Sequence, residues 1–159
     1  MRVYRICRAQ HARHQDDAFN GVGAGKTGQR WNPKGINVAY TSESASLALL
    51  EILAHADLED LPGDLVCASV RLPENMIKQI HSPPRIPANW RDIDPAPPAL
   101  AQLGEDWVRR GRYPVMRVPS VIVPWEYHYL INPAHPETAG LTDFEVETFS
   151  VDPRLGVGV

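Results

Sequence analysis

The chain has 159 residues, a formal net charge of -3 and a pI near 6.0, which is the length of one domain able to bury about two thirds of its unfolded surface. The charge argues against the basic footprint of nucleic-acid binding, and the run Arg109-Arg110-Gly111-Arg112 is too short to change that. No basic-then-apolar leader precedes the chain's first strand, and no apolar run approaches the roughly 20 residues that cross a bilayer, so a membrane role is not expected.

Residues 1–7 interleave Val3, Tyr4, Ile6 and Cys7 with Arg2 and Arg5, the pattern of a first strand that carries Arg5. Cys7 and Cys67 both fall in apolar, strand-like runs, as buried thiols in a reduced, cytoplasmic setting rather than as a disulfide. Over residues 9–35 periodicity disappears and Gly21, Gly23, Gly25, Gly28 and Gly35 follow one another, which predicts a long structureless loop. Such a loop inside a compact domain is usually functional.

Residues 36–41 read as a short strand, and Ser42-Glu43-Ser44 supplies helix-start residues for a helix over 45–55. Its phase places Leu49 and Leu53 on the core face and Ser44, Glu51 and His55 opposite, where Glu51 meets either water or a shallow pocket. A turn at Leu61-Pro62-Gly63-Asp64 leads into a half-buried strand over 65–72.

Residues 80–98 are rich in proline and predict an extended surface loop. Leu100, Leu103, Trp107 and Val108 predict an amphipathic helix over 98–111, closed by Gly111. Residues 115–124 read as two short strands or one strand bent at Ser120, because proline cannot donate to a central ladder. Further strands are expected over 127–132 and 144–151. A tally of about six strands and two helices, joined by long loops, predicts a single-domain α+β fold.

The segment Asn20-Gly21-Val22-Gly23-Ala24-Gly25-Lys26-Thr27 falls short of a P-loop, because Asn20 stands where that motif requires glycine and no buried strand precedes it. Its amides remain suited to a diphosphate. His11, His14, His128 and His135 show no zinc-ligand spacing, so no metal is expected and these histidines read as loop or surface residues. Arg30 beside Trp31 is either a surface cation resting on an aromatic face or a fork for phosphate. Tyr40 is either a core-edge residue or a stacking platform for a flat heterocycle. Glu51 is either a solvated helix residue or a carboxylate that supports positive charge on a ribose.

Taken in order, Phe19-Asn20-Gly21-Val22-Gly23-Ala24, Gly28-Gln29-Arg30-Trp31-Asn32, Val38-Ala39-Tyr40-Thr41, Ala48-Leu49-Leu50-Glu51, Val118-Pro119-Ser120 and Leu130-Ile131-Asn132-Pro133 resemble the RES-domain family across nearly the whole chain. The arginine, glutamate and serine of that family's name match Arg30, Glu51 and Ser120. The resemblance implies one RES domain over 1–159, with the mixed sheets and few helices of the diphtheria-toxin type of ADP-ribosyltransferase. It also implies a toxin of a bacterial toxin–antitoxin pair that uses NAD as substrate, by hydrolysis, phosphorolysis or ADP-ribosyl transfer, and that is blocked by an Xre-like antitoxin protein. On this resemblance Arg30 would grip the diphosphate or nicotinamide ribose, Tyr40 would stack on nicotinamide, Glu51 would support the oxocarbenium-like ribose and Ser120 would shape the site. Gly28, Trp31, Asn32 and Arg5 would complete the NAD contacts, Arg5 being the weakest candidate. A catalytically silent antitoxin-binding module is the non-enzymatic alternative.

Overall fold

In the computed structural model, which describes residues 1–56 and 60–156, the elements run β1 (Arg2–Arg8), α1 (Gln15–Phe19), α2 (Val22–Thr27), β2 (Ala39–Ser42), α3 (Ala45–Leu53), β3 (Leu65–Arg71), α4 (Glu74–Ile77), β4 (Ile80–His81), α5 (Pro98–Arg110), β5 (Val115–Pro119), β6 (Tyr127–Ile131) and β7 (Thr142–Thr148). The seven strands make one sheet in the order β4-β5-β6-β2-β1-β3-β7, antiparallel throughout except for the parallel pair β4 and β5. The fold is α+β with a mixed sheet, as expected from the sequence.

Several elements differ from the sequence-based expectation. The glycine-rich stretch 9–35 is not structureless, since it folds α1 and α2, of five and six residues. Helices this short span less than two turns and leave no periodic signal. They are held locally: His14 Nδ1 accepts the Asp17 N–H at 3.3 Å, and Gly21, at φ 66, turns the chain into α2. Helix α4 and the two-residue β4 are likewise too short to leave a pattern. Residues 115–124 make one strand that ends at Pro119, followed by a turn, and the last strand starts earlier, at Thr142.

The phase of α3 also differs. Its buried residues are Leu47 and Ala48, whereas Leu49 and Leu53 are only half-buried. The apolar run through this helix leaves its phase open, and the cap decides where it starts: Ser44 Oγ accepts the Leu47 N–H at 3.1 Å. Glu51 follows Ala48 by three positions and Leu47 by four, so it points inward with them.

The sheet's two faces carry different cores. Val3, Ala39, Val66, Ala68, Val70, Val115 and Ile131 cover one face and pack against Ala18 and Phe19 of α1. The other face carries two separate clusters. Met116, Val118 and Leu130 lie with Leu100 and Trp107 of α5 and with Trp31, while Ile6 and Leu65 lie under Ala48 of α3. The Trp107 indole is 4% exposed and donates to the Tyr113 carbonyl at 2.9 Å, so its truncation to alanine should cost about 3–5 kcal/mol. Between these two clusters, register pairs Tyr4 with Ser42 and Ser42 with His128. This polar strip in an otherwise apolar face is where the site forms.

Candidate active site

Arg30 sits at the tip of a tight hairpin. Gln29 and Asn32 exchange backbone hydrogen bonds of 2.8 and 3.2 Å, leaving Arg30 and Trp31 as the two residues between them. Gly28, at φ 73, ends α2 and aims the chain into this turn, a conformation that a side chain would strain. Trp31 is 2% exposed and plugs the α5 cluster. Its carbonyl presses so closely on α5 that a Cβ at Gly104 would lie 1.6 Å from the oxygen, so only glycine permits this contact.

Asn32 is fully buried and fully used. Its amide group contacts the Ala24, Pro33 and Ile36 carbonyls at 3.0, 3.1 and 2.8 Å, and its Oδ1 accepts the Tyr40 hydroxyl at 2.9 Å. The same hydroxyl accepts the Trp31 N–H at 3.0 Å, and burial pushes the phenol's pKa up, so it stays neutral. Trp31 and Asn32, expected among the NAD contacts, are thus placed as the frame that holds Arg30. Tyr40 is tied to that frame by its hydroxyl and leaves its ring at the cluster's edge.

Glu51 comes from α3, close enough for its charge to act on Arg30. Its Oε1 receives Ser120 Oγ at 3.1 Å and His128 Nε2 at 2.7 Å. Ser120 is completely buried, and its oxygen accepts the Ile122 and Val123 N–H groups at 3.1 and 3.2 Å. Both lone pairs are occupied, so its hydroxyl proton is directed at the carboxylate. Burial raises the Glu51 pKa, but the His128 hydrogen bond and charge, then Ser120 and the charge of His55, outweigh it and hold the group below the usual carboxylate value. Glu51 is therefore ionised at neutral pH.

His128 was expected to be a loop or surface residue. It lies instead on β6 with its side chain 12% exposed, and its Nδ1 contacts the buried Ser42 hydroxyl at 3.1 Å. The alternation of β6 carried the signal, because it puts His128 on the same face as Leu130. The glutamate it serves is remote in sequence, so the local pattern does not pair the two.

Arg30 is half-buried and donates from Nη1 to the Trp90 carbonyl at 2.8 Å. Burial lowers its pKa, while Glu51, Tyr40 and Asp92 act in the opposite sense from nearby. The proline-rich segment thus borders the site, and Arg91 Nη2 reaches the Val121 carbonyl at 3.4 Å beside the Ser120 turn. Arg5 is placed differently. Strand alternation puts it on the opposite face with Val3, and its Nη1 donates to the Ala18 carbonyl at 2.8 Å. The structure therefore brings Arg30, Tyr40, Glu51 and Ser120 to one region and leaves Arg5 behind the sheet.

Two clefts lie elsewhere: one of about 290 Å³ beside Phe19 and Leu141, and one of about 450 Å³ between Ile86 and Leu103. Neither is lined by Arg30, Glu51 or Ser120, and neither gathers comparable chemistry. Among the described residues, no group of three or more His, Cys, Asp or Glu is placed to hold a metal ion, and no helix is long and apolar enough to cross a membrane.

Known proteins match the chain over nearly its whole length. Residues 2–152 match the RES domain model. The Prs ADP-ribosylating toxin of Sphingobium sp. (strain YBL2) is 34% identical over 144 residues, covering 89% of each chain. Toxin Res of Yersinia enterocolitica serotype O:8 / biotype 1B is 33% identical over 156 residues, covering 98% of this chain and 99% of that one. A chain of the crystal structure of the M. tuberculosis MbcT-MbcA toxin-antitoxin complex has the same fold, with a TM-score of 0.64 over 98% of this chain and 86% of that one at 17% identity. With a family model spanning nearly its whole length and relatives this similar, the chain belongs to the RES domain family.

Proposed function

We propose that this protein is the toxin of a toxin–antitoxin pair and consumes NAD by breaking the bond between nicotinamide and ribose. The observation that carries the reading is Glu51, an ionised carboxylate held by Ser120 and His128 close to the Arg30 guanidinium. As the bond breaks, its electron pair leaves with nicotinamide, which departs neutral and needs no general acid. Positive charge develops on the ribose, and a fixed anion beside it stabilises the transition state more than the ground state. Arg30 supplies forked donors for the diphosphate, and the exposed edge of Tyr40 offers a surface for the nicotinamide ring. Water or phosphate then adds to the ribose carbon, giving hydrolysis or phosphorolysis. No enzyme nucleophile is required.

The deciding experiment follows NAD concentration with purified protein, with and without phosphate, beside Glu51→Gln. Loss by the wild type, reduced by orders of magnitude in the folded variant, is the expected result. An equally active variant would remove Glu51 from the mechanism.

A second reading, ADP-ribosyl transfer to a specific protein, is favoured by the name of the Sphingobium relative. Labelled NAD in a cell extract separates the two, since transfer leaves label on a discrete protein band and degradation leaves it in small molecules. Under either reading the partner is an antitoxin of Xre-like type and the site of action is the cytoplasm. A non-catalytic antitoxin-binding module predicts instead no NAD loss and no growth defect that depends on Glu51.

A further inference from the structure

We propose that His128 is the positioning residue of Glu51, with Ser42 holding the imidazole by its other ring nitrogen. This rests on the reading of Glu51 as the residue that supports ribose charge, and it adds a group that neither the arginine-glutamate-serine set nor the sequence pattern supplies.

Three elements converge on the unit: Ser42 from β2, His128 from β6 and Glu51 from α3. An ionised carboxylate only accepts, so at 2.7 Å His128 Nε2 must carry the hydrogen. The other ring nitrogen, Nδ1, pairs with the Ser42 hydroxyl, 3.1 Å away and 4% exposed. The serine thus holds the ring and the histidine orients the acid. Among the described residues, both side-chain donors fall on Oε1 and Oε2 has none. With the Glu51 side chain 31% exposed, this arrangement leaves the second oxygen available to a substrate, where ribose charge would develop.

The other ionisable groups around Glu51 are His55 in the turn after α3 and Arg30 on the hairpin, with Asp92 beside Arg30. Tyr4 stands opposite Ser42 on β1. None of them hydrogen-bonds the carboxylate, so His128 and Ser120 set its orientation.

The test uses the full chain as His128→Ala and His128→Gln, since a glutamine amide can offer a donor near the place of Nε2. Two readouts are taken. The first is NAD turnover against pH. The second is the titration of the Glu51 carboxyl carbon by NMR, which needs no activity. His128→Ala should lose roughly ten- to a hundredfold in turnover at pH 7.5, with its acid limb and the Glu51 midpoint both moved to higher pH. His128→Gln should recover most of the turnover and part of the midpoint shift. An unchanged Glu51 midpoint in His128→Ala overturns the proposal, as does a pH-independent loss that His128→Gln fails to rescue. Absence of NAD loss in the wild type would count against the proposed reaction, while the carboxyl titration would still decide whether His128 governs Glu51.

Discussion

Ser120 Oγ lies 3.1 Å from Glu51 Oε1, although 69 positions separate the two residues in the chain. The turn after β5 orients the hydroxyl by engaging its oxygen with two backbone N–H groups. Ser120→Ala removes one of the carboxylate's two donors and leaves both amides without that partner. We expect a stability loss of about 1–3 kcal/mol, read by denaturant titration, together with lower NAD turnover. A variant as stable and as active as wild type would show that the hydroxyl is not needed to hold the turn or the acid.

Arg30 presents a planar fork from a hairpin tip, and Nη1 is already engaged by the Trp90 carbonyl. Arg30→Lys keeps the charge but loses the fork. The expected result is a KM for NAD raised roughly tenfold or more, at the scale of a lost charge-assisted hydrogen bond, with little change in melting temperature. Steady-state kinetics and a thermal melt together check it. An unchanged KM would mean that the fork is not used on NAD.

Tyr40 separates two roles within one side chain. Tyr40→Phe retains the ring for stacking but deprives Asn32 Oδ1 and the Trp31 N–H of their shared partner. A loss of about 1–3 kcal/mol is expected, or several degrees in melting temperature for a chain of this size. Catalysis by the molecules that remain folded should fall less than in Arg30→Lys. If stability is retained while turnover collapses, the hydroxyl acts on the substrate and not on the frame.

The pH dependence of stability has a definite sign. The folded-state pKa of Glu51 lies below its ordinary value of 4.5. Its pairing therefore contributes stability above pH 4.5, and that contribution disappears as pH falls through the lower folded value. Glu51→Gln should be less stable than wild type at neutral pH, with the gap closing in acid. Melting temperatures of both proteins from pH 7 down to pH 3 provide the check. A gap that widens in acid would reverse the inferred direction of the shift.

The sequence by itself carried the long elements and the residue types of the site. The α5 stripe of Leu100, Leu103 and Trp107 and its Gly111 terminus are local, and so is the alternation that marks β3 and β6. The ordered motifs around Arg30, Glu51 and Ser120 were likewise legible in one dimension, and family membership follows from them. Only the tertiary structure decided which residues face the site. The frame role of Trp31 and Asn32 depends on α5 approaching at Gly104 and on the reach of the Tyr40 hydroxyl. The placement of Arg5 depends on which face of β1 receives α1, and that of His128 on register across β2 and β6. These are long-range relations. A strand's alternation separates its two faces but does not say which of them will carry the site until the helices have packed.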